Sequence, residues 1–127
     1  MADPANLKFQ KSHEWTRVEG NIAYVGISDH AQEELGDIVF VEIPEVDDEF
    51  EAGEEVTNIE SVKAASPLYA PVSGKIVKVN DELEDTPELI NQKPYETFIF
   101  AIEMTDPSEL DKLLSYDEYQ KVIEEEE

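Results

Sequence analysis

The chain has 127 residues, no cysteine and a formal net charge of −23, from 32 Asp and Glu against 9 Lys and Arg. That length suits one domain with a real core, and the missing thiols exclude a disulfide framework, a cysteine nucleophile and a Cys metal site. The charge makes nucleic acid and anionic membranes poor partners, because phosphate binding needs cations that release counterions. No run is long enough to span a bilayer. Residues 1–4 have neither a basic n-region, an apolar h-region nor transit-peptide character, so the expected location is cytoplasmic.

Met1 to Asn6 read as a disordered lead-in. Leu7 to Phe9, Glu14 to Val18 and Ile22 to Ile27 read as strands, the last two joined by a turn at Glu19-Gly20-Asn21. Gly26 inside the third strand marks a bulge or a close backbone approach. Asp29 is expected to cap a short helix near 29–36, with Gln32 completing a box-like pattern, Leu35 turned inward and Gly36 as the left-handed exit. Ile38 to Ile43 is a β-branched strand closed by Pro44, and 45–53 is an acidic turn region.

Glu55 to Ile59 and Ala64 to Ala70 then form the arms of a hairpin, with Val62-Lys63 at the reversal and Pro71 ending the second arm. Lys75 to Val79 is the next strand, with Val77 and Val79 assigned to one face. Residues 80–94 are polar, contain two prolines and read as a long loop with one helical turn near Glu88. Phe98, Phe100, Ile102 and Met104 alternate with Ile99, Ala101 and Glu103, the pattern of a buried strand. Helices near 107–123 follow. Asp106 caps the first, Pro107 opens it and Leu110, Leu113 and Leu114 form its apolar face. Ser115 to Glu118 repeats the capping pattern, with Tyr119, Val122 and Ile123 inward. Glu124 to Glu127 read as a solvated acidic tail with little helical order, because carboxylates oppose the dipole at a helix C-terminus. Many short strands punctuated by Gly and Pro give a mainly β sandwich or barrel with small helices attached, over a single domain spanning 1–127.

Lys63 stands out. It is the only Lys or Arg between Val18 and Gly74, a span that carries fourteen Asp and Glu. An isolated amine on a tight turn projects, is unhindered and has no neighbouring Lys in competition, which suits a modifying enzyme. Most exposed lysines are simply solvated, so the position alone is ordinary. Val-Lys is also a poor two-residue reversal, Asn-Gly or Asp-Gly being favoured, so this turn needs support from the rest of the fold. His13 and His30 are far apart in the chain and lack a third ligand, so both read as structural and no metal site is expected. Trp15 reads as core. No nucleophile, metal cluster or phosphate loop is visible, and no catalytic residue is assigned.

The stretch Glu60-Ser61-Val62-Lys63-Ala64-Ala65-Ser66 resembles the lipoyl-lysine motif of the glycine cleavage system H proteins. Ser12-His13-Glu14-Trp15, Val25 to Gln32, Leu35 to Glu42, Tyr69 to Gly74 and Asp106 to Leu110 resemble further signatures of that family, in family order and over almost the whole chain. A biotin domain would carry Met on both sides of its Lys, whereas Val62 and Ala64 stand here. The resemblance implies a barrel-sandwich hybrid of two intertwined sheets, the fold of lipoyl and biotinyl carriers, with the lysine hairpin at one end. It implies lipoate attached covalently to Lys63, Glu60 as the acid presented to a lipoate ligase or lipoyltransferase, and Gly74 as the spaced glycine shaping the hairpin base. It also implies that Ser12 and Glu14 line a groove protecting the loaded arm, where a carboxylate can pair with an ammonium. Without the resemblance, Glu60 and Glu14 would read as exposed strand residues.

The implied function is a carrier without catalysis of its own. It takes the aminomethyl group of glycine from a pyridoxal-phosphate-dependent glycine decarboxylase (P protein) to a tetrahydrofolate-dependent aminomethyltransferase (T protein). A dihydrolipoyl dehydrogenase (L protein) then reoxidises the dithiol. Two departures from the family pattern stand out. Pro67 replaces the usual Asp, and Glu96-Thr97-Phe98-Ile99 replaces a Gly-x-Gly-Trp segment, one residue shorter. They keep open an H-like lipoyl carrier outside glycine cleavage, in lipoyl relay or a heterodisulfide-reductase-like sulfur oxidation system. A non-carrier interaction domain with an unmodified Lys63 is the third reading.

Overall fold

The computed structural model describes residues 4–126. In chain order its strands are β1 (Lys8–Phe9), β2 (Glu14–Glu19), β3 (Ile22–Ile27), β4 (Ile38–Val41), β5 (Glu49–Phe50), β6 (Glu55–Ser61), β7 (Ala65–Tyr69), β8 (Gly74–Val79) and β9 (Phe100–Met104). Its α-helices are α1 (Asp29–Leu35), α2 (Glu82–Asp85), α3 (Leu89–Gln92) and α4 (Tyr116–Glu126), with 3-10 turns at Pro4–Asn6 and Pro107–Lys112. The strands form a six-stranded sheet in the order β1-β2-β3-β9-β8-β5 and a three-stranded sheet in the order β4-β6-β7. Every pairing is antiparallel. This is the mainly β architecture of the H proteins, with a short helix after β3 and a C-terminal helix.

The two sheets share one core. Val25, Ile76, Phe100 and Ile102 of the larger sheet pack with Val41, Ile59 and Leu68 of the smaller, each almost fully buried. Burying a side chain of this size is worth about 1.5–3 kcal/mol, so this shared layer holds the lysine hairpin in place. A second cluster of Leu7, Phe9, Trp15 and Tyr119 seats α4. There the Phe9 and Tyr119 rings stack with centroids 4.5 Å apart. Gly26 allows Trp15 to lie across β3, because a Cβ at that glycine would fall 2.5 Å from the indole. The close approach expected there is found, without a bulge.

Several local expectations change. Pro4 to Asn6 form a 3-10 turn rather than a disordered lead-in, while residues 1–3 lie outside the described residues. Ser28, not Asp29, caps α1: its Oγ accepts from Ala31 N, and Asp29 accepts from the Gln32 side chain instead. Gly36 does take a positive φ, at 78°. The acidic region 45–53 contains β5, which pairs with β8. In β8 the register slips between Ile76 and Lys78, so Ile76 and Val79 both reach the core, in place of Val77 and Val79.

The 80–94 segment holds two short helices, because Leu83 and Ile90 are drawn fully into the core. After the 3-10 turn at Pro107–Lys112, Leu114 pairs with Phe9 instead of extending a helical apolar face. The Ser115–Glu118 box forms reciprocally, Ser115 N donating to Glu118 Oε1 and Glu118 N to Ser115 Oγ. Helix α4 continues to Glu126 despite its acidic end, anchored by the buried Tyr119, and Glu127 lies outside the described residues.

Candidate functional site

Lys63 sits at the tip between β6 and β7, where Glu60 pairs with Ala65 and Ser61 N donates to Ala64 O. The weak Val-Lys reversal is held from two sides. Ser61 Oγ accepts from the amides of Lys63 and Ala64, at 3.2 and 3.1 Å, so one hydroxyl does within the turn what Asn or Asp does elsewhere. From outside, Val62 N donates to Asp37 O at 3.0 Å. The Lys63 side chain lies along Gly36, where a Cβ would fall 2.8 Å from Cε, and Nζ donates to Glu34 O at 3.2 Å. The α1–β4 joint is therefore the cradle of the lysine. Asn91 of α3 fixes that joint, donating to Gln32 Oε1 and Gly36 O and accepting from Ile38 N, each at 2.9 Å. The amine rests at the C-terminal end of a helix, where backbone carbonyls favour a cation.

Beside the cradle lies a groove of about 200 Å³. Ile27, Ala31, Leu35, Ile59 and Leu68 give it apolar walls, and Ser12, His13, Ser66 and Pro67 also line it. Glu34 and Leu35 line it as well, so the helix end that receives Nζ also opens into the groove. Behind Ser12 is Glu14, completely buried. It accepts from Ser12 Oγ, from Gln10 Nε2 at 3.1 Å and from Tyr69 N at 2.8 Å. Burial raises its pKa above the ordinary carboxyl value, and the bonds from Ser12 and Tyr69 pull the other way. The reading of Glu14 as an exposed strand residue is thus overturned. The β2–β3 register turns it inward, opposite Ile27.

The other assigned residues separate. Glu60 is exposed on β6, next to Phe40 of β4. Gly74 pairs with Phe50 where the antiparallel ribbon continues past the foot of the hairpin arms at Gly53 and Ala70. It belongs to the larger sheet, between Phe50 and Met104, where a Cβ would fall 2.0 Å from Glu103 O. Its role is to let β8 and β9 close. Of the two departures, Pro67 lines the groove, on an edge strand where a missing amide is tolerated. The 96–99 segment lies elsewhere, with Phe98 edge-on to Tyr24 at 5.2 Å.

His13 and His30, distant in the chain, have rings 5.2 Å apart, because Ser28 N bonds His13 O at the end of the β2–β3 ladder. His13 Nδ1 and Ser28 Oγ each lie 2.6 Å from the Tyr119 hydroxyl. His30 Nε2 is 3.0 Å from Glu34 Oε1, near enough for an ion pair when protonated but poorly angled for a hydrogen bond. Among the described residues no three His, Cys, Asp or Glu side chains are grouped to hold a metal. No helix there is long and apolar enough to cross a membrane.

The family model for the glycine cleavage H-protein matches residues 7–126. The chain belongs to that family. It is 56% identical over 124 residues to the glycine cleavage system H protein of Staphylococcus haemolyticus, covering 97% of this chain and 98% of that one. It is 56% identical over 126 residues to the namesake protein of Syntrophomonas wolfei, covering 99% and 97%. A solved H protein from Mycobacterium marinum superposes with a TM-score of 0.85 at 36% identity, over 94% of this chain and 97% of that one. H proteins carry lipoyl-lysine and are carriers, not enzymes. The sequence-based family assignment therefore stands. Membership in this system implies work with P, T and L proteins.

Proposed function

We propose that Lys63 is the lipoylated residue of this H protein and that the groove beside it shelters the loaded arm. The observation that carries the reading is the shared helix end: α1 holds Nζ through Glu34 O and supplies Ala31, Glu34 and Leu35 to the groove. The apolar walls fit a hydrocarbon chain and dithiolane, and Ser12, held by Glu14 behind it, adds a hydroxyl to the lining. When bound, the lipoyl group supplies the sulfur that receives the aminomethyl unit and the dithiol that is reoxidised afterwards.

The chain's own residues position and shield. Ser61 and Asp37 fix the turn, so Lys63 projects in one direction. Ser12 offers its hydroxyl to an ammonium entering the groove, and the buried Glu14 behind it orients that hydroxyl by accepting its hydrogen bond. The cargo then travels from the P protein to the T protein, and the L protein restores the carrier. Pro67 removes one carboxylate from the lining but keeps the wall apolar. The domain in this reading is a single lipoyl carrier, modified by a lipoate ligase or lipoyltransferase that reads Glu60.

The test is glycine–bicarbonate exchange with P protein from the same organism, using chain whose loading is checked by intact mass. Wild type should gain one lipoyl increment and support exchange. Lys63→Arg, which keeps a cation on the turn but resists acylation, should gain none and support none. Exchange by the Lys63→Arg chain would overturn the assignment. A loaded wild type that is silent beside an active cognate carrier would show that this arm serves other partners.

A further inference from the structure

In a chain this acidic, large apolar side chains left in water need an explanation, since each forfeits the burial free energy that residues of its type usually contribute. Three of them line one edge beside the lysine. Val62 is 65% exposed, Val39 54% and Phe40 49%. Their exposure is built in. Strand β4 carries an extra residue between Ile38 and Phe40, so that the step from Ile38 to Phe40 faces the single step from Ser61 to Glu60. This irregularity keeps Ile38 and Val41 in the core while both residues between them face solvent. Bulges of this kind re-aim side chains next to functional sites. Val62 continues the edge, its amide bonded to Asp37 O just before β4. The exposed carboxylates of Asp37, Glu42 and Glu60 border the patch, and Lys63 is the only cation in the sequence from 19 to 73.

We infer that Val39, Phe40 and Val62 form the docking surface for the enzyme that attaches lipoate to Lys63. Its complementary surface is an apolar shelf rimmed by Lys and Arg. This rests on the reading of Lys63 above. Reach selects the attaching enzyme over the other partners. Decarboxylase, transferase and dehydrogenase act on sulfurs at the far end of the arm, whereas attachment makes a bond at Nζ itself. The attaching active site must close over the turn, and the residues it then covers are those of this edge.

In a ligase using ATP, the carrier arrives as an ammonium and must lose one proton and its bond to Glu34 O. The free amine forms the N–C bond to the carbonyl of lipoyl adenylate, AMP leaves from that carbonyl, and the amine gives up a second proton. Basic groups on the partner would pair with Asp37, Glu42 and Glu60 and orient the turn toward the adenylate.

The experiment is steady-state lipoylation of purified apo-chain by a purified lipoate ligase with ATP and free lipoate, read by intact mass. The Val39→Thr/Phe40→Thr double variant keeps β-forming side chains at exposed positions, so its thermal midpoint should stay near wild type. Its KM as the acceptor should rise about ten-fold with kcat little changed, the scale for removing an aromatic anchor. Val46→Thr, at a position of similar exposure outside β4 and the Lys63 turn, should behave as wild type. Once fully loaded, the double variant should support exchange with P protein as wild type does.

An unchanged KM for lipoylation would overturn the proposal. A loss of equal size in the exchange reaction would overturn it too, by making the patch a general landing site. A wild-type chain that gains no lipoyl increment would instead sink the reading of Lys63, before any patch variant is compared.

Discussion

Burial sets the behaviour of Glu14. Water is excluded from its carboxyl group, which disfavours the charged form, and Ser12 and Tyr69 only partly offset that. The folded chain therefore holds this proton more tightly than the unfolded chain does. Below the ordinary value near 4.5 both states are protonated and the residue is neutral toward stability. As pH rises, the unfolded chain releases the proton first, stability falls, and the loss levels off above the raised folded value. Glu14→Gln removes that titration. Its thermal midpoint, relative to wild type, should climb as pH rises from about 4.5 and then plateau, by about 5 °C for each kcal/mol relieved. A difference that does not vary with pH would contradict the sign of the shift. The loaded Glu14→Gln chain should also release its cargo faster, since an amide holds the groove-lining Ser12 hydroxyl less firmly than a carboxylate does. Stability gained where function is lost is what a site residue shows.

At the scale of the element, the α1–β4 joint decides where Lys63 stands, and Asn91 decides where the joint stands. Asn91→Ala leaves Ile38 N and Gly36 O without their partner, at a cost of about 1–3 kcal/mol. Amide exchange should quicken at Ile38 and Val62 while the β2–β3 ladder keeps its protection, and lipoylation should slow. Unaltered exchange at Val62 would disconnect the joint from the turn. Such elements also mark what the sequence made legible. Strand β3 was readable to the residue, because its β-forming run is bounded by the Glu19-Gly20-Asn21 turn and by the capping pattern at the start of α1. The Ser115–Glu118 box was readable because both halves of the motif are local.

The extra residue in β4 and the slip in β8 were not readable, since each is set by a partner strand distant in sequence. The same holds for the site. Lys63 announced itself by isolation, and Gly36 and Asp37 lay inside a recognised block with nothing local to tie them to the turn. Asn91 lies in the helical turn expected near Glu88, with nothing local to tie it to the lysine. Gly74 was legible only as a glycine beside the hairpin, since its tightest contact is with Glu103 on a strand distant in sequence.

For the whole molecule the charge is unevenly arranged. Eight of the nine Lys and Arg lie at 8, 11, 17 or from 75 onward, which leaves Lys63 alone in the three-stranded sheet and the turns around it. Acylation removes that cation, so the hairpin end becomes wholly acidic once loaded. A field of one sign at the end where the arm is attached should draw partners with basic clefts toward that end and orient the encounter. Such steering acts over distances that salt screens, about 10 Å at 0.1 M and 3 Å at 1 M. Raising ionic strength from 50 to 500 mM should lower kcat/KM for P protein acting on the loaded chain by about ten-fold, through KM, with kcat held. The apo-chain, one charge less acidic at that end, should show a shallower salt dependence toward its ligase. Equal slopes for the two reactions would mean that steering depends on net charge alone and not on the hairpin end. A salt-independent KM would mean that the acidic surface serves solubility and does not steer the P protein.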